Sequence, residues 1–500
     1  MEATTDRVPG SDGESTFDLI VVGGGAAGFW TAIRAAEAGG SVCLISRKPL
    51  SESSSYWAQG GLAAALDPAD SPELHAEDTM TAGRGLCRTS AVECLTEEAP
   101  AMVRDLISRG VRFDEEPSGA VQLALEGGHS VRRIVHAGGS ATGHEITRSL
   151  SKMVSDHPGI EVREETSAVA ILSDGSCCLG VLTDRGRVLA PATVLATGGA
   201  AALWSRTSNP WGAIGAGPVM ASAAGAELAD LEFCQFHPTC LDLPDSELDG
   251  SLISEALRGE GAVLLDAEGE RFTDELAPRD DVSVAILEQI DAQEGRPVTL
   301  DLGMIDPARF PSVFGMLKRA GLDPTGKPVP VSPGAHYTMG GIVVDLDGHS
   351  TLPGLFAVGE ASCTGLHGAN RLASNSLSEC FVFGERAART GLDREGIDRA
   401  KARVAEPTFH PDPEWHFTPP TTTTRENVWQ LAGPRRSREG LERLLGDPYP
   451  LAGAIATSAI ARTESRGGHR RSDFPDTDPG FDGVHVHYLP DGTVRTESWE

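Results

Sequence analysis

The chain has little positive charge and few aromatic rings. Across 500 residues Lys and Arg number 42 against 72 Asp and Glu, a net charge of −30, and Phe, Trp and Tyr make up 5%. So acidic a surface repels phosphate backbones and anionic lipid, so nucleic acid and membranes are not expected partners. No apolar run approaches the ~20 residues that cross a bilayer. Glu2, Asp6, Asp12 and Glu14 sit where an export signal needs a basic start and an apolar core. The nine cysteines are odd in number and include no C-x-x-C pair, which speaks against a disulfide framework and a zinc site. No metal ligands are assigned, and a reducing cytoplasm is the expected compartment. What the chain does have is 40% hydrophobic side chains and 58 glycines, enough for more than one packed core.

The glycines organise the reading. Phe17 to Val22 is a short β-branched strand ending in Gly23, Ala26 to Ala38 reads as a helix stopped by Gly39-Gly40, and Ser41 to Ser46 reads as a second strand. Gly23-x-Gly25-x-x-Gly28 falls at the first strand-to-helix junction, where the unpaired N–H groups of a helix start can face a pyrophosphate. A second strand in NAD-binding units ends near an acid, whereas this one runs into Ser46-Arg47-Lys48, so the motif alone does not name the cofactor. Val194 to Gly199 and Gly354 to Glu360 repeat the strand-to-glycine pattern far along the chain. Three such turns predict one large cofactor gripped by a discontinuous α/β domain.

Between the later two turns lies an alternation of strands and helices, including Val282 to Ile290 and Phe310 to Ala320, long enough for an inserted domain. Beyond about residue 405, Pro407, Pro411, Pro413 and Pro419-Pro420 mark a linker. Arg425 to Leu445 and Leu451 to Ser465 then read as helices, and Val484 to Tyr488 as part of a hairpin in a polar tail.

Longer motifs carry a family resemblance: Ser54-Ser55-Tyr56-Trp57-Ala58-Gln59-Gly60-Gly61, Glu126-Gly127-Gly128-His129-Ser130, Gln235-Phe236-His237-Pro238-Thr239, Glu255 to Gly261, Pro278-Arg279-Asp280, His336 to Gly341, and His367 to Leu377. Together they make the chain resemble the flavoprotein family of succinate dehydrogenase and fumarate reductase, from residue 17 to about 390, and within it the branch that oxidises L-aspartate. The resemblance implies an FAD-binding Rossmann-like domain in two pieces, 17–235 and 346–405. Between them would lie an α+β capping domain, 236–345, and after them a helical region, 406–500, shorter than relatives usually carry. Residues 1–16 are expected to be disordered. It implies that Gly23, Gly24, Gly25, Ala26, Ala27 and Gly28 line the pyrophosphate and that Arg47 lies near the adenosine end. Ser54 to Gly61 would wrap the flavin, Glu360 would face its hydroxyl-bearing chain, and Ser376 and Leu377 would lie beside its rings.

Two departures matter. Members that bind FAD covalently use a histidine before Ala-Gln-Gly-Gly, where this chain has Ser-Ser-Tyr-Trp, so non-covalent FAD is expected. Relatives also carry Thr-Gly-Asp-Gly where this chain reads Ile214-Gly215-Ala216-Gly217, removing a carboxylate directed at the cofactor.

Oxidising a four-carbon dicarboxylate at carbon needs a hydride acceptor, cations for two carboxylates, and a group that handles a proton. The resemblance places His237, Ser254 and the backbone after Arg258 on one carboxylate, and His336 and Arg371 on the other. It makes Arg279 the proton-transfer residue. A guanidinium stays protonated in water, so Arg279 either works with a neighbouring acid such as Glu260 or stabilises charge, with a plain ion pair to Asp280 or Glu275 as the alternative. Glu126 would hold an ammonium, which aspartate has and succinate lacks. The expected reaction is oxidation of L-aspartate to iminoaspartate with oxygen or fumarate as acceptor, the first step toward quinolinate and NAD, with quinolinate synthase as a candidate recipient. A soluble fumarate reductase is the alternative.

Overall fold

A computed structural model describes residues 15–50, 52–139, 141–244, 246–393 and 418–500. Expected disorder over residues 1–14, the end of the first domain from 394 to 405, and most of the Pro-rich linker lie outside the described residues. Ser15–Thr16, expected to be disordered, instead pairs in parallel with Val188–Leu189.

The central sheet is parallel and five-stranded, in the order Leu355–Ala357, Ala192–Leu195, Leu19–Val22, Val42–Ile45, Ile160–Arg163. Four of these strands are buried at every residue, as a sheet covered on both faces requires. Alternation sorts their side chains: Leu19, Val21 and Val194 pack with Phe29, Trp30 and Phe381 on one face. Ile20, Val22 and Leu195 pack with Trp204, Leu228 and Ile455 on the other. The three strand-to-glycine turns end side by side because their strands are consecutive in the sheet, although the first and third lie more than 300 residues apart in sequence.

The inserted segment has its own antiparallel sheet, Cys234–Leu241, Val329–Thr338, Val298–Asp301 and Val263–Leu265. Helices Arg279–Ala292 and Pro311–Arg319 cover it around a core of Leu264, Ile286, Leu300, Phe314 and Val331. Its edges differ slightly from expectation. Strand Cys234–Leu241 runs across the expected boundary at 235/236. Gly341–Val343, expected in the cap, pairs instead with Leu228–Ala229 and Ser362–Cys363.

One correction concerns the C-terminal region. The helix expected over 425–445 is two, Thr422–Ala432 and Arg438–Leu444, because Gly433-Pro434 breaks it. A third helix is Pro450–Ala461. The hairpin expected in the tail forms, Val484–Tyr488/Val494–Ser498, and it adds two strands to the sheet containing Leu228–Ala229. Arg462 pins it, fully buried between Glu232 and Glu464 while donating to Val484 O. All nine cysteines are free. Among the described residues no helix is long and apolar enough to cross a membrane, and no group of side chains could hold a metal ion.

Candidate active site

Strand Leu19–Val22 ends at Gly23, whose φ of +127° and backbone contact leave no room for a side chain: a Cβ would lie 2.1 Å from Ala196 O. At Gly28 it would lie 1.9 Å from Gly23 O, so the helix Ala26–Glu37 can start hard against the strand. Gly25 is its N-cap, without a side-chain cap, and Ser55 Oγ accepts from Ala26 N at 3.1 Å. This ties the Ser54 to Gly61 segment to the glycine turn. Ser54–Trp57 forms a 3₁₀ turn packed on helix Thr142–Asp156, with Tyr56 edge-on to His144 and Gly143 N donating to Ala58 O at 3.0 Å. Gln59 Oε1 and Thr197 Oγ1 are buried without a hydrogen-bond partner. Unsatisfied polar groups beside a glycine-lined turn suit a polar cofactor spanning the strand ends, and FAD fits them.

Arg47 follows strand Val42–Ile45 and donates to Gly212 O at 3.1 Å, so it stands where a Rossmann unit places the adenosine end. Glu360 accepts from Thr338 N at 3.0 Å and lines a cavity with Gly199, Pro218, Leu451 and Ile455. Burial raises its carboxyl to about 7 despite the opposing Thr338 hydrogen bond. Ser376 and Leu377 open helix Asn375–Gly391, Ser376 accepting from Arg371 at 2.7 Å.

The register of the cap sheet assembles the cationic part. Gln235 lies opposite Tyr337, and His237 opposite Gly334 beyond an irregularity, which brings the rings of His237 and His336 to 5.2 Å. Gln235 Oε1 accepts from Arg279 Nη1 at 2.9 Å and from Arg371 Nη2 at 3.2 Å, holding two guanidiniums together. Its amide donates to Asn370 Oδ1 and Arg371 O, both at 2.8 Å, which fixes its orientation. Arg371 also stacks over Tyr337, 4.6 Å from the ring centre, and Tyr337 in turn donates to Glu379 at 3.0 Å. Glu255 is the carboxylate inside the cluster, 2.6 Å from Arg279 Nε and 3.7 Å from Arg258. Burial opposes its ionisation, but Arg279 and Arg258 outweigh that and hold it at about 2. Both histidines sit well below the usual range, through burial and, for His237, the adjacent Arg279; for His336 burial is reinforced by His237 and then Arg279. They are neutral donors at neutral pH. Arg258 Nε and Nη2 and Arg371 Nε are buried without hydrogen-bond partners, the mark of a site built for an anion.

Glu126 joins this cluster from the other side. Gly127 presses so closely on Glu255 that a Cβ there would lie 2.0 Å from Glu255 Oε1. His129 donates from Nε2 to Ala373 O at 2.9 Å because Arg133 already donates to its Nδ1, and this clamps the Glu126 loop to the segment after Arg371. Ser254 is buried beside the short helix Ala256–Gly259, accepting from Ala256 N at 3.4 Å.

One expected residue stands apart. Glu260 pairs with Arg309 at the surface, so it cannot serve Arg279; the helix Ala256–Gly259 turns Glu255 inward and carries Glu260 out. The ion pairs considered for Arg279 are also not formed, since Asp280 binds Arg84 and Arg470 and Glu275 binds Arg271. Gln235, Glu255 and the Arg258 side chain were not singled out in the sequence, although each lies inside a motif quoted there. Their place in the same motifs as His237 and Arg258 was the available signal.

Comparison with known proteins agrees with this geometry. The FAD binding domain family matches residues 18–377, and the fumarate reductase flavoprotein C-terminal family matches residues 441–489. L-aspartate oxidase of Streptomyces coelicolor is 40% identical, the match covering 96% of this chain and 93% of that one. That of Caulobacter vibrioides is 42% identical over 95% and 96%. Among solved structures, a quinol-fumarate reductase with menaquinol superposes with a TM-score of 0.85 at 29% identity, covering 98% of each chain. The Mycobacterium smegmatis Sdh1 complex with UQ1 gives 0.79 at 31%, covering 97% and 94%. By these matches over nearly its whole length, the chain belongs to the L-aspartate oxidase family, within the FAD-binding flavoproteins of succinate dehydrogenase and fumarate reductase.

Proposed function

We propose that the protein oxidises L-aspartate to iminoaspartate, with oxygen or fumarate receiving the electrons, as the entry to quinolinate and NAD synthesis in the cytoplasm. The charge balance of the cleft carries this reading. Arg258, Arg279 and Arg371 against Glu255 and Glu126 leave one positive charge, the complement of L-aspartate, whose two carboxylates and one ammonium sum to −1. Succinate, a dianion without an amine, would leave Glu126 unpaired and the complex negatively charged.

FAD, held non-covalently by the glycine turn, the Ser54 to Gly61 segment and Glu360, supplies the two-electron acceptor for the substrate Cα–H bond. Arg371 and His336 hold one carboxylate, the planar guanidinium suiting a bidentate pair, and His237, Ser254 and the backbone after Arg258 hold the other. Glu126 binds the ammonium and so orients Cα. Arg279 lies between the two carboxylate sites. Its hydrogen bond to Glu255 gives a proton a path from guanidinium to carboxylate and onward toward Arg258, which is how a group that stays protonated in water can take part in proton transfer. Arg279 also stabilises negative charge as the proton moves. The absence of histidine from Ser53 to Trp57 supports non-covalent FAD. Iminoaspartate hydrolyses readily, which favours direct handover to quinolinate synthase.

The test is anaerobic mixing of the purified protein with L-aspartate and, separately, succinate, following flavin absorbance near 450 nm. Bleaching by aspartate and not by succinate is expected; the reverse would make the protein a soluble fumarate reductase.

A further inference from the structure

Ser374 stands where three parts of the cleft meet. It follows Arg371-Leu372-Ala373, caps helix Asn375–Gly391, and has the left-handed backbone angles φ 64° and ψ −4°, rare for a residue with a side chain. Its hydroxyl touches two other elements. Gly61 N, at the end of the flavin-wrapping segment, donates to Ser374 Oγ at 3.1 Å, and Ser374 Oγ donates to Glu126 Oε2 at 2.6 Å. An amide can only donate, so the single hydroxyl hydrogen is committed to Glu126 and that carboxylate oxygen is committed to Ser374. The other oxygen, Oε1, points toward Gly60, where a Cβ would come within 4.0 Å of it. It is 3.6 Å from His136 Nε2, too long for a hydrogen bond. The other ring nitrogen of His136, Nδ1, is held 3.3 Å from Thr142 Oγ1, which also accepts from Ala137 N.

We infer that Ser374 is the positioning residue for substrate selection: it locks one oxygen of Glu126 and leaves Oε1 aimed across Gly60 for the substrate ammonium. This rests on the aspartate reading above. Without the hydroxyl, Glu126 can rotate about its terminal bond, and the ammonium must order it on binding. Keeping a strained backbone at Ser374 is explained by this duty, because glycine would fit the backbone and lose the hydroxyl.

Ser374→Gly is the test variant, since glycine accepts this φ without strain, and Ser374→Ala is its companion. The measurements are kcat/KM for L-aspartate oxidation and for fumarate reduction by chemically reduced enzyme, in wild type, Ser374→Gly, Glu126→Gln and the double variant. Ser374→Gly is expected to lower the aspartate-to-fumarate ratio about tenfold, and to lower it no further in the Glu126→Gln background. Equal losses for both substrates, or the same fall of the ratio in both backgrounds, would overturn the inference. A lowered ratio in Glu126→Gln alone would leave the aspartate reading standing and remove the role of Ser374. An unchanged ratio in Glu126→Gln would remove both.

Discussion

Arg279 and Glu255 form an ion pair of 2.6 Å, Nε to Oε2, with both side chains inside the protein. Removing one member of such a pair leaves the other buried and uncompensated. Glu255→Gln is therefore expected to lower kcat for aspartate by about 10²-fold while the protein stays yellow. The acid also has a signature in stability. Its folded-state value of about 2 lies below the ordinary carboxylate value, so it stabilises the fold above that ordinary value and stops doing so as pH falls toward 2. Acid unfolding of the variant, followed by circular dichroism, should show a shallower loss of stability across this window than wild type.

Tyr337 presents its ring to Arg371 at 4.6 Å, and its hydroxyl is held by Glu379 and by His367 at 3.2 Å. Tyr337→Leu removes the ring over which the Arg371 guanidinium sits. KM for aspartate should rise roughly tenfold with a smaller change in kcat, because a cation–π contact in a desolvated site is worth about 1–2 kcal/mol. Tyr337→Phe, which keeps the ring, should recover most of the loss.

Glu360 behaves oppositely to Glu255. Burial lifts its value to about 7, so the folded protein holds this proton more tightly than the unfolded chain does. Stability is then greatest below the ordinary carboxylate value and declines as pH rises to 7, by an amount on the order of 3 kcal/mol. Thermal melts of the apoprotein between pH 5 and 7.5 should show the decline, and Glu360→Gln should flatten it.

The cofactor attachment has a direct readout. Acid precipitation should leave all flavin absorbance in the supernatant; colour in the pellet would mean a covalent bond formed by a group other than the missing histidine.

Much of the fold was legible because it follows from short-range rules. A β-branched strand ending in Gly23 and a helix starting at Ala26 require only local sterics, and the structure has the helix at Ala26–Glu37. Burial on both faces of the sheet follows from continuous apolar strands such as Leu19–Val22. In the C-terminal region the same local reasoning predicted a single helix over 425–445, passing over the break at Gly433-Pro434. It also had no means of seeing that the hairpin from Val484 to Ser498 would find its edge on Leu228–Ala229, a strand more than 250 residues earlier.

The family resemblance, carried by whole motifs, is what brought out the arginines, histidines and Glu126 as candidates for a dicarboxylate with an amine. Which acid serves Arg279 was decided only in three dimensions. Glu255 and Glu260 lie five residues apart in one motif, and both are plausible in one dimension. The turn of helix Ala256–Gly259 sends one inward to Arg279 and Arg258 and the other outward to Arg309. Likewise the pairing of Gln235 with Tyr337 sets how Arg279 and Arg371 share one amide oxygen, and that depends on strand register. Local chemistry selects the groups; register and helix phase, fixed by packing the whole cap, choose their partners.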